Sequence, residues 1–367
     1  MSRRADDPEP ACEDCLRRSW LLARLSVGLD YRCIDVTRLM ELLVLDDERL
    51  MHALAGRRRA TLRSDYLRFD SAEIPRGDGV GTVCRHDAGY PSALRSCGAP
   101  PMLYVLGGPG RLGELLRRPA VAVVGSHKAS DYGAEMARSL GRGLSASGVT
   151  IVSGLSDGIA VAAQSGALEA GGAGLALAGG GLDVGPPARR RSLVERLTRS
   201  GCVASELPCG CEGRRWSSAA AERIVAHLAK VTVVVEASDS APDLASAAIA
   251  RSLGRTVAAV PGRVTSRSSR GTNALLMDGA RLVRGAQDVL ELLHIDSPAV
   301  SVGEAVARAR LEPRLVEVLE QVGEGRDTAD KLIDRTGDVG EVLLALSELE
   351  LLGLLTRGEG GRYVPRP

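Results

Sequence analysis

The chain has 367 residues, of which 25% are charged and only 2% aromatic. That length suffices for a sizeable core plus one or two smaller domains. No hydrophobic run reaches membrane-spanning length, and the opening MSRRADDPEP lacks the apolar segment of a signal peptide, so a cytoplasmic protein with no membrane contact is expected. The net charge of +1 conceals a gradient: Leu115–Leu293 carries 21 Lys and Arg against 15 Asp and Glu, whereas Glu304–Pro367 carries 9 against 13. A basic middle favours phosphate or nucleic acid as a partner, and an acidic tail does not. With so few aromatic platforms for stacking bases, such binding would lean on phosphate contacts.

Up to about Ala55, leucines at three- and four-residue spacing predict helices. Cys12-x-x-Cys15 has the spacing of half a zinc site, but a structural site takes four ligands. Cys33 stands alone and no second pair follows nearby, so the pattern reads as two thiols at a helix start and no metal is expected. The eight cysteines are scattered and expected to be reduced. Arg57-Arg58-Arg59 and the Gly/Asp-rich stretch to Gly81 read as a linker, and Met102–Leu106 as a short strand.

The run from Val121 to Gly158 contains one device twice. A continuous β-branched run, Val121–Val124, ends at Gly125 and is followed by apolar residues Met136, Leu140 and Leu144 at helical spacing; Thr150–Ser153 then leads into Gly154-Leu155-Ser156-Asp157-Gly158. This is the pattern of a crossover unit in a parallel sheet. Further strands are expected at Leu175–Ala178, Cys202–Glu206, Val231–Glu236, Val257–Val260 and Arg281–Val283, with helices at Ala160–Ala170, Ser192–Arg199, Glu222–Ala229 and Leu244–Leu253. Strands alternating with helices at this rhythm specify a doubly wound α/β sheet. The tail from about Leu311 reads as three amphipathic helices and a hairpin, the outline of a winged helix.

Ligands of such sheets bind outside the carboxyl ends of the strands, where helix N-termini offer N–H groups to anions. Gly125-Ser126-His127-Lys128 supplies a close backbone approach, a hydroxyl and a charge at one strand end. Arg189-Arg190-Arg191, Arg214-Arg215-Trp216 and the series Arg263, Arg267, Arg270 each follow another strand end, and together suit a single-stranded nucleic acid. Ser268–Asn273 is a polar loop whose amides and side chains suit phosphate. Two other classes compete. The Gly turns suit a single phosphorylated ligand, which makes the chain a nucleotide-binding or nucleotide-hydrolysing protein. Gly154–Gly158 also matches the nucleophile elbow, with Ser156 needing Asp183 or Glu206 and then His227 or His294.

In order, the segments GYPSALRSCGAPPMLYVLGG, VAVVGSHKASDYG, TIVSGLSDGIA, ALEAGG, GLDVGPP, SELP, VVVEAS, LGRTVAAVPG and RGTNALLMDGARLV resemble the DNA-processing protein A (DprA/Smf) family over about Thr82–Leu293. The resemblance implies an extended Rossmann-like, doubly wound and mostly parallel sheet over 81–298. An N-terminal helical region over 1–80 and a winged-helix domain over 305–367 complete the expected organisation. It also implies a single-stranded DNA-binding homodimer that hands DNA to the RecA recombinase in natural transformation, with no catalytic residues and no cofactor. The phosphate-binding set expected on this basis is Gly125, Ser126, His127, Lys128, Ser153, Gly154, Arg214, Arg215, Trp216, Arg223, Arg270, Gly271 and Asn273.

The chain departs from the family pattern at several of these places. Asp157 stands where the family's S-G-L-A-R-G-I-D segment has Arg, and Ala160 where it closes with Asp. The family's R-N-R-I-I-A-G-L segment is Ala221-Glu222-Arg223-Ile224-Val225-Ala226-His227-Leu228, and its S-G-[SA]-L-I-T-A segment is Ala241-Pro242-Asp243-Leu244-Ala245-Ser246-Ala247. Reversing charge at a phosphate pocket is unfavourable, so the chain reads as a divergent member whose DNA affinity is weakened, relocated to the Arg clusters or lost.

Overall fold

A computed structural model describes residues 11–32, 36–75, 77–95, 98–183, 188–295, 312–323, 326–336, 338–351, 354–358 and 361–365. Cys33, Cys97 and most of the GLDVGPP turn therefore lie outside the described residues. The backbone divides into two compact units, Met1–Leu293 and His294–Pro367.

Among the described residues the first unit opens with five α-helices: α1 (Glu13–Arg24), α2 (Ser26–Arg32), α3 (Val36–Val44), α4 (Asp47–Leu54) and α5 (Arg59–Leu67). Part of the expected linker is therefore helical. The basic run of Arg57–Arg59 precedes a helix whose Leu62 is buried and whose Tyr66 hydroxyl donates to Asp47 Oδ2 at 2.5 Å, while Arg63 pairs with Glu48 at 2.8 Å. Phe69, just beyond it, packs against Trp20 with ring centroids 5.7 Å apart.

The remaining elements of this unit are β1 (Val80–Cys84), β2 (Met102–Leu106), α6 (Pro109–Arg117), β3 (Ala120–Val124), α7 (Asp131–Ala146), β4 (Thr150–Gly154), α8 (Ile159–Glu169), β5 (Gly174–Leu177), α9 (Ala188–Ser200), β6 (Cys202–Ser205), α10 (Arg215–Leu228), β7 (Val231–Val234), α11 (Ala241–Ser252), β8 (Thr256–Ala259), α12 (Arg270–Met277), β9 (Arg281–Leu282) and α13 (Ala286–Ile295). The strands form one sheet in the order β1-β2-β6-β5-β4-β3-β7-β8-β9. From β6 to β9 every pair is parallel; β2 joins β6 and β1 joins β2 antiparallel. This is the expected doubly wound, mostly parallel sheet, widened by an antiparallel edge in which the expected strand at Met102–Leu106 is joined by the unexpected β1.

The β-branched runs are explained by burial on both faces. Along β3, Ala120, Ala122 and Val124 join one core while Val121 and Val123 join the other, the period-two alternation of a strand covered on each side. The N-terminal helices share a third core with the antiparallel edge and α10: Trp20, Leu21, Leu29 and Leu39 pack with Met102, Tyr104, Trp216 and Ala220. The chain runs from β3 outward through β4, β5 and β6, then returns to β3's other side with β7, so the order reverses between β3 and β7.

The second unit contains α14 (Pro313–Gly323), α15 (Ala329–Thr336), α16 (Val339–Leu351) and the antiparallel pair β10 (Leu355–Arg357) and β11 (Tyr363–Pro365), around a core that includes Leu315, Leu319, Leu332, Leu346 and Tyr363. Among the described residues no helix is long and apolar enough to cross a membrane.

Candidate nucleic-acid interface

The turns after β3 and β4 meet α10 and α11 at a cleft of about 760 Å³. His127, Gly154, Ser156, Arg214, Arg215 and Glu222 are among its lining, with Asp30 of α2 on one wall. Gly125 joins His127, Gly154 and Ser156 in a small recess beside it. The fold thus assembles much of the expected set at the carboxyl ends of the strands.

The two Gly turns are tightly built. Gly125 has φ +150° and a Cβ there would lie 2.3 Å from the Glu236 carbonyl; Gly158 has φ +73° and a Cβ would lie 2.3 Å from the Ser126 carbonyl. Only glycine fits either place. Ser126 N–H donates to Glu236 O at 2.7 Å, and Ser126 O accepts from Ile159 N at 3.2 Å, so the two turns brace each other.

The N-terminus of α7, which the sequence offered as an anion site, already holds a carboxylate of the protein. Glu236, 4% exposed, accepts from Ser130 N at 2.7 Å and from Ser130 Oγ at 2.8 Å. A fixed negative charge there satisfies the helix end and its dipole. The start of α10 is treated similarly: Asp30 Oδ1 accepts from Trp216 N at 3.1 Å. Phosphate at this rim therefore has to be met mainly by side chains.

Those side chains divide by direction. Arg215, Lys128, Arg191, Arg263, Arg267 and Arg270 are exposed. Arg270 lies 4.0 Å from Asp239 and Arg214 lies 3.9 Å from Asp30, both loose pairings. Arg190 is used within the protein: its Nε is 3.6 Å from Asp157 Oδ1, and its guanidinium also donates to Leu155 O. The charge reversal at Asp157 is thus matched by a neighbouring arginine of α9. The side chain of Arg189 lies outside the described ones.

Two expected contacts are placed inside the protein. Trp216 is 1% exposed and donates its indole N–H to Ser26 Oγ at 2.8 Å, so its ring packs under α2 instead of offering a stacking face. Arg223 is also 1% exposed; it donates to Glu206 Oε2 at 2.6 Å, Gly98 O at 3.0 Å and Ala220 O at 2.8 Å. Helical geometry supplies the reason. Residues seven apart lie on nearly the same face, so Trp216 and Arg223 are buried as a pair, Trp216 where it borders the cleft, while Arg215 and Glu222 turn to the cleft.

The rest of the expected set makes contacts within the protein. Ser153 is buried in β4 and accepts from Gln164 Nε2 at 2.9 Å. Asn273 holds the loop after β8, accepting from Gly262 N at 3.2 Å and donating to Gly262 O at 3.1 Å. Gly271 lets α12 approach the β7 loop, its N–H donating to Ala237 O at 2.9 Å.

Glu222 is the residue whose placement the sequence did not convey. Burial raises its carboxyl above the ordinary 4.5, against a hydroxyl bond from Ser246 and the nearby His127, which favour the charged form. Among the described side chains, the groups proposed for the elbow serine have other partners. Asp183 accepts from Gly210 N, Glu206 is paired with Arg223, and His227 donates to Arg223 O at 2.8 Å. The side chain of His294 lies outside the described ones.

Residues 81–294 match the family model for DNA recombination-mediator protein A. The chain is 37% identical over 280 residues to a putative DNA processing protein DprA of Mycobacterium tuberculosis, covering 74% of this chain and 71% of that protein. It is 34% identical over 275 residues to protein Smf of Escherichia coli, covering 71% and 73%. Among solved structures, DNA processing protein A of Streptococcus pneumoniae superposes with a TM-score of 0.59 at 30% identity, covering 76% of this chain and 95% of that one. The Helicobacter pylori protein, described for its single-stranded DNA binding mode, superposes with a TM-score of 0.52 at 25% identity, covering 60% and 97%. With the doubly wound sheet and its paired Gly turns, these matches show that the chain belongs to the DNA recombination-mediator protein A (DprA/Smf) family.

Proposed function

We infer that this protein binds single-stranded DNA along the carboxyl-terminal edge of its sheet and presents it for recombination. The observation that supports this most is the cleft at the ends of β3 and β4, with Arg214 and Arg215 on its wall and Lys128 exposed on the adjoining turn. Exposed arginines after β8 extend the basic edge. Binding of this kind is mainly phosphate contact, since the one tryptophan near the cleft faces inward. Ser126, His127 and the backbone at Gly125 and Gly154 provide the polar floor. Arg223, Trp216, Ser153, Gly271 and Asn273 act by holding that edge in shape.

The family's wider role, protecting incoming DNA, loading RecA recombinase and working as a cytoplasmic homodimer in natural transformation, extends this reading to partners. Anisotropy titration of the full chain with a labelled oligonucleotide at several salt concentrations tests the binding step. Affinity should fall with salt at a log–log slope of about −0.7 per neutralised phosphate. Absence of binding at low salt, or binding indifferent to salt, would overturn it. A cleft of about 760 Å³ also accommodates a mononucleotide. Competition by nucleoside monophosphates, which should be weak against an extended strand, distinguishes that reading.

A further inference from the structure

Cys12 and Cys15 do not stand alone. Cys12 caps α1 and Cys15 lies in its first turn; Cys84 ends β1, and His86 follows in the turn beyond it. The expectation of no metal rested on the absence of a nearby second pair, and the fold provides that pair from 69 residues away. Cys12 Sγ lies 3.1 Å and Cys15 Sγ 3.5 Å from His86 Nδ1. One ligand atom from each of Cys12, Cys15, Cys84 and His86 falls within 4.8 Å of all the others.

We propose that these four residues form a structural zinc site that fastens the N-terminal helices to the edge of the sheet. A tetrahedron with metal–ligand bonds of about 2.0–2.3 Å has edges of about 3.3–3.8 Å, so the observed cluster is close to the size required. Three thiolates and one imidazole are soft and borderline donors, a set suited to Zn²⁺ and unsuited to Mg²⁺ or Ca²⁺. Cys15 and Cys84 are buried, Cys12 is half-buried and His86 is exposed, so the cluster has an entry side. Its frame is rigid where a ligand set needs it. Asp87 Oδ2 accepts from Cys84 N at 2.5 Å and Asp87 N donates to Cys84 O at 2.9 Å, which fixes the turn that carries both second-pair ligands.

The site joins two parts of the molecule that share little backbone hydrogen bonding. α1 continues into α2, and α2 sends Asp30 and Ser26 to Trp216 at the start of α10. Zinc would therefore fix α1 and, through it, α2, whose Asp30 lines the cleft. The inference stands on the cysteine and histidine positions alone and does not depend on DNA binding.

Elemental analysis of the full chain, purified under reducing conditions without chelator, should find close to one zinc per chain. Anaerobic exchange for Co²⁺ should give the strong red-region absorption of a tetrahedral ion and a near-ultraviolet thiolate charge-transfer band. Cys84→Ser should abolish both. Because Cys84 is buried, His86→Ala at the exposed ligand is the companion variant. It should weaken metal retention at least about tenfold against a chromogenic chelator, with His86→Cys restoring it. Chelation should lower the thermal midpoint of the wild type, and lower that of His86→Ala by less. A folded wild-type chain that holds no zinc and yields no tetrahedral cobalt spectrum with its thiols reduced would overturn the proposal, as would a Cys12–Cys15 disulfide in the purified protein.

Discussion

The two faces of α10 carry similar chemistry to opposite ends. On the cleft side stand Arg215 and Glu222; one residue later in each case stand Trp216, which borders the cleft but is only 1% exposed, and Arg223, enclosed in the core. Each face has a basic residue near the same strand ends, yet one arginine is exposed and the other is enclosed with Glu206. Adjacent residues on a helix diverge by about 100°, so a one-residue shift decides whether a charge meets solvent or the interior. The difference teaches that an arginine in a nucleic-acid-binding family is not by itself a nucleic-acid contact.

The comparison breaks most visibly at Arg223. Arg223→Ala leaves the Glu206 carboxylate buried without its cation, which should cost about 3–5 kcal/mol in urea denaturation. Oligonucleotide affinity of the folded fraction should stay within about twofold. Pairing Arg223→Met with Glu206→Gln removes both charges and should recover much of the loss. An Arg223→Ala protein of normal stability with weakened DNA binding would place Arg223 on the wrong face. Trp216→Phe, on the same face, should cost about 1–2 kcal/mol through the lost bond to Ser26 and the smaller ring. Stacking would instead appear as strong quenching of indole fluorescence by oligonucleotide, which the enclosed ring should not show.

Why the faces were indistinct beforehand follows from where the partners come from. The parallel strands were legible because a β-branched run covered on both faces needs no distant information. The run Arg57–Arg59 resembled a solvated linker, since the anchors of α5, Asp47 and Glu48, sit on another helix. β1 lacks a strand signature because Val80, Gly81 and Thr82 are only half-buried and it is itself the edge of the sheet, paired on one side alone. Glu236 meets Ser130 across 106 residues and Asp30 meets Trp216 across 186. No local pattern announces either carboxylate as the occupant of a helix N-terminus. The same holds for the second half of the cysteine cluster.

The cleft side sharpens the comparison with a smaller effect. Arg214→Ala combined with Arg215→Ala should weaken oligonucleotide binding about tenfold, near 1.4 kcal/mol, and flatten the salt slope by about 1.4. Its unfolding midpoint should barely move, since Arg215 is exposed and Arg214 is only loosely paired with Asp30. A large loss of stability without a change in slope would mean that these arginines serve the fold as Arg223 does.

Glu222 gives the finest test, because it is an acid on the face assigned to phosphate. Its folded-state pKa is raised, first by burial, above the ordinary 4.5. A carboxyl so shifted adds stability that is complete below its unfolded value and is lost as pH rises through the folded one. Glu222→Gln lacks this loss. Its thermal midpoint should therefore equal that of the wild type in acid and exceed it increasingly toward neutral pH. The Ser246 hydroxyl, which now donates to Glu222 Oε2, can donate to the amide oxygen instead, so the variant keeps that bond. The same substitution removes a negative charge from the cleft floor. Oligonucleotide affinity should rise a few-fold, under about 1 kcal/mol, at pH values above the raised folded-state pKa, and the gain should vanish below it, where the wild-type carboxyl is itself neutral. If the affinity change instead persisted undiminished in acid, charge on Glu222 would not be its cause. Phosphate would then have to run outside the cleft, along the exposed arginines after β8.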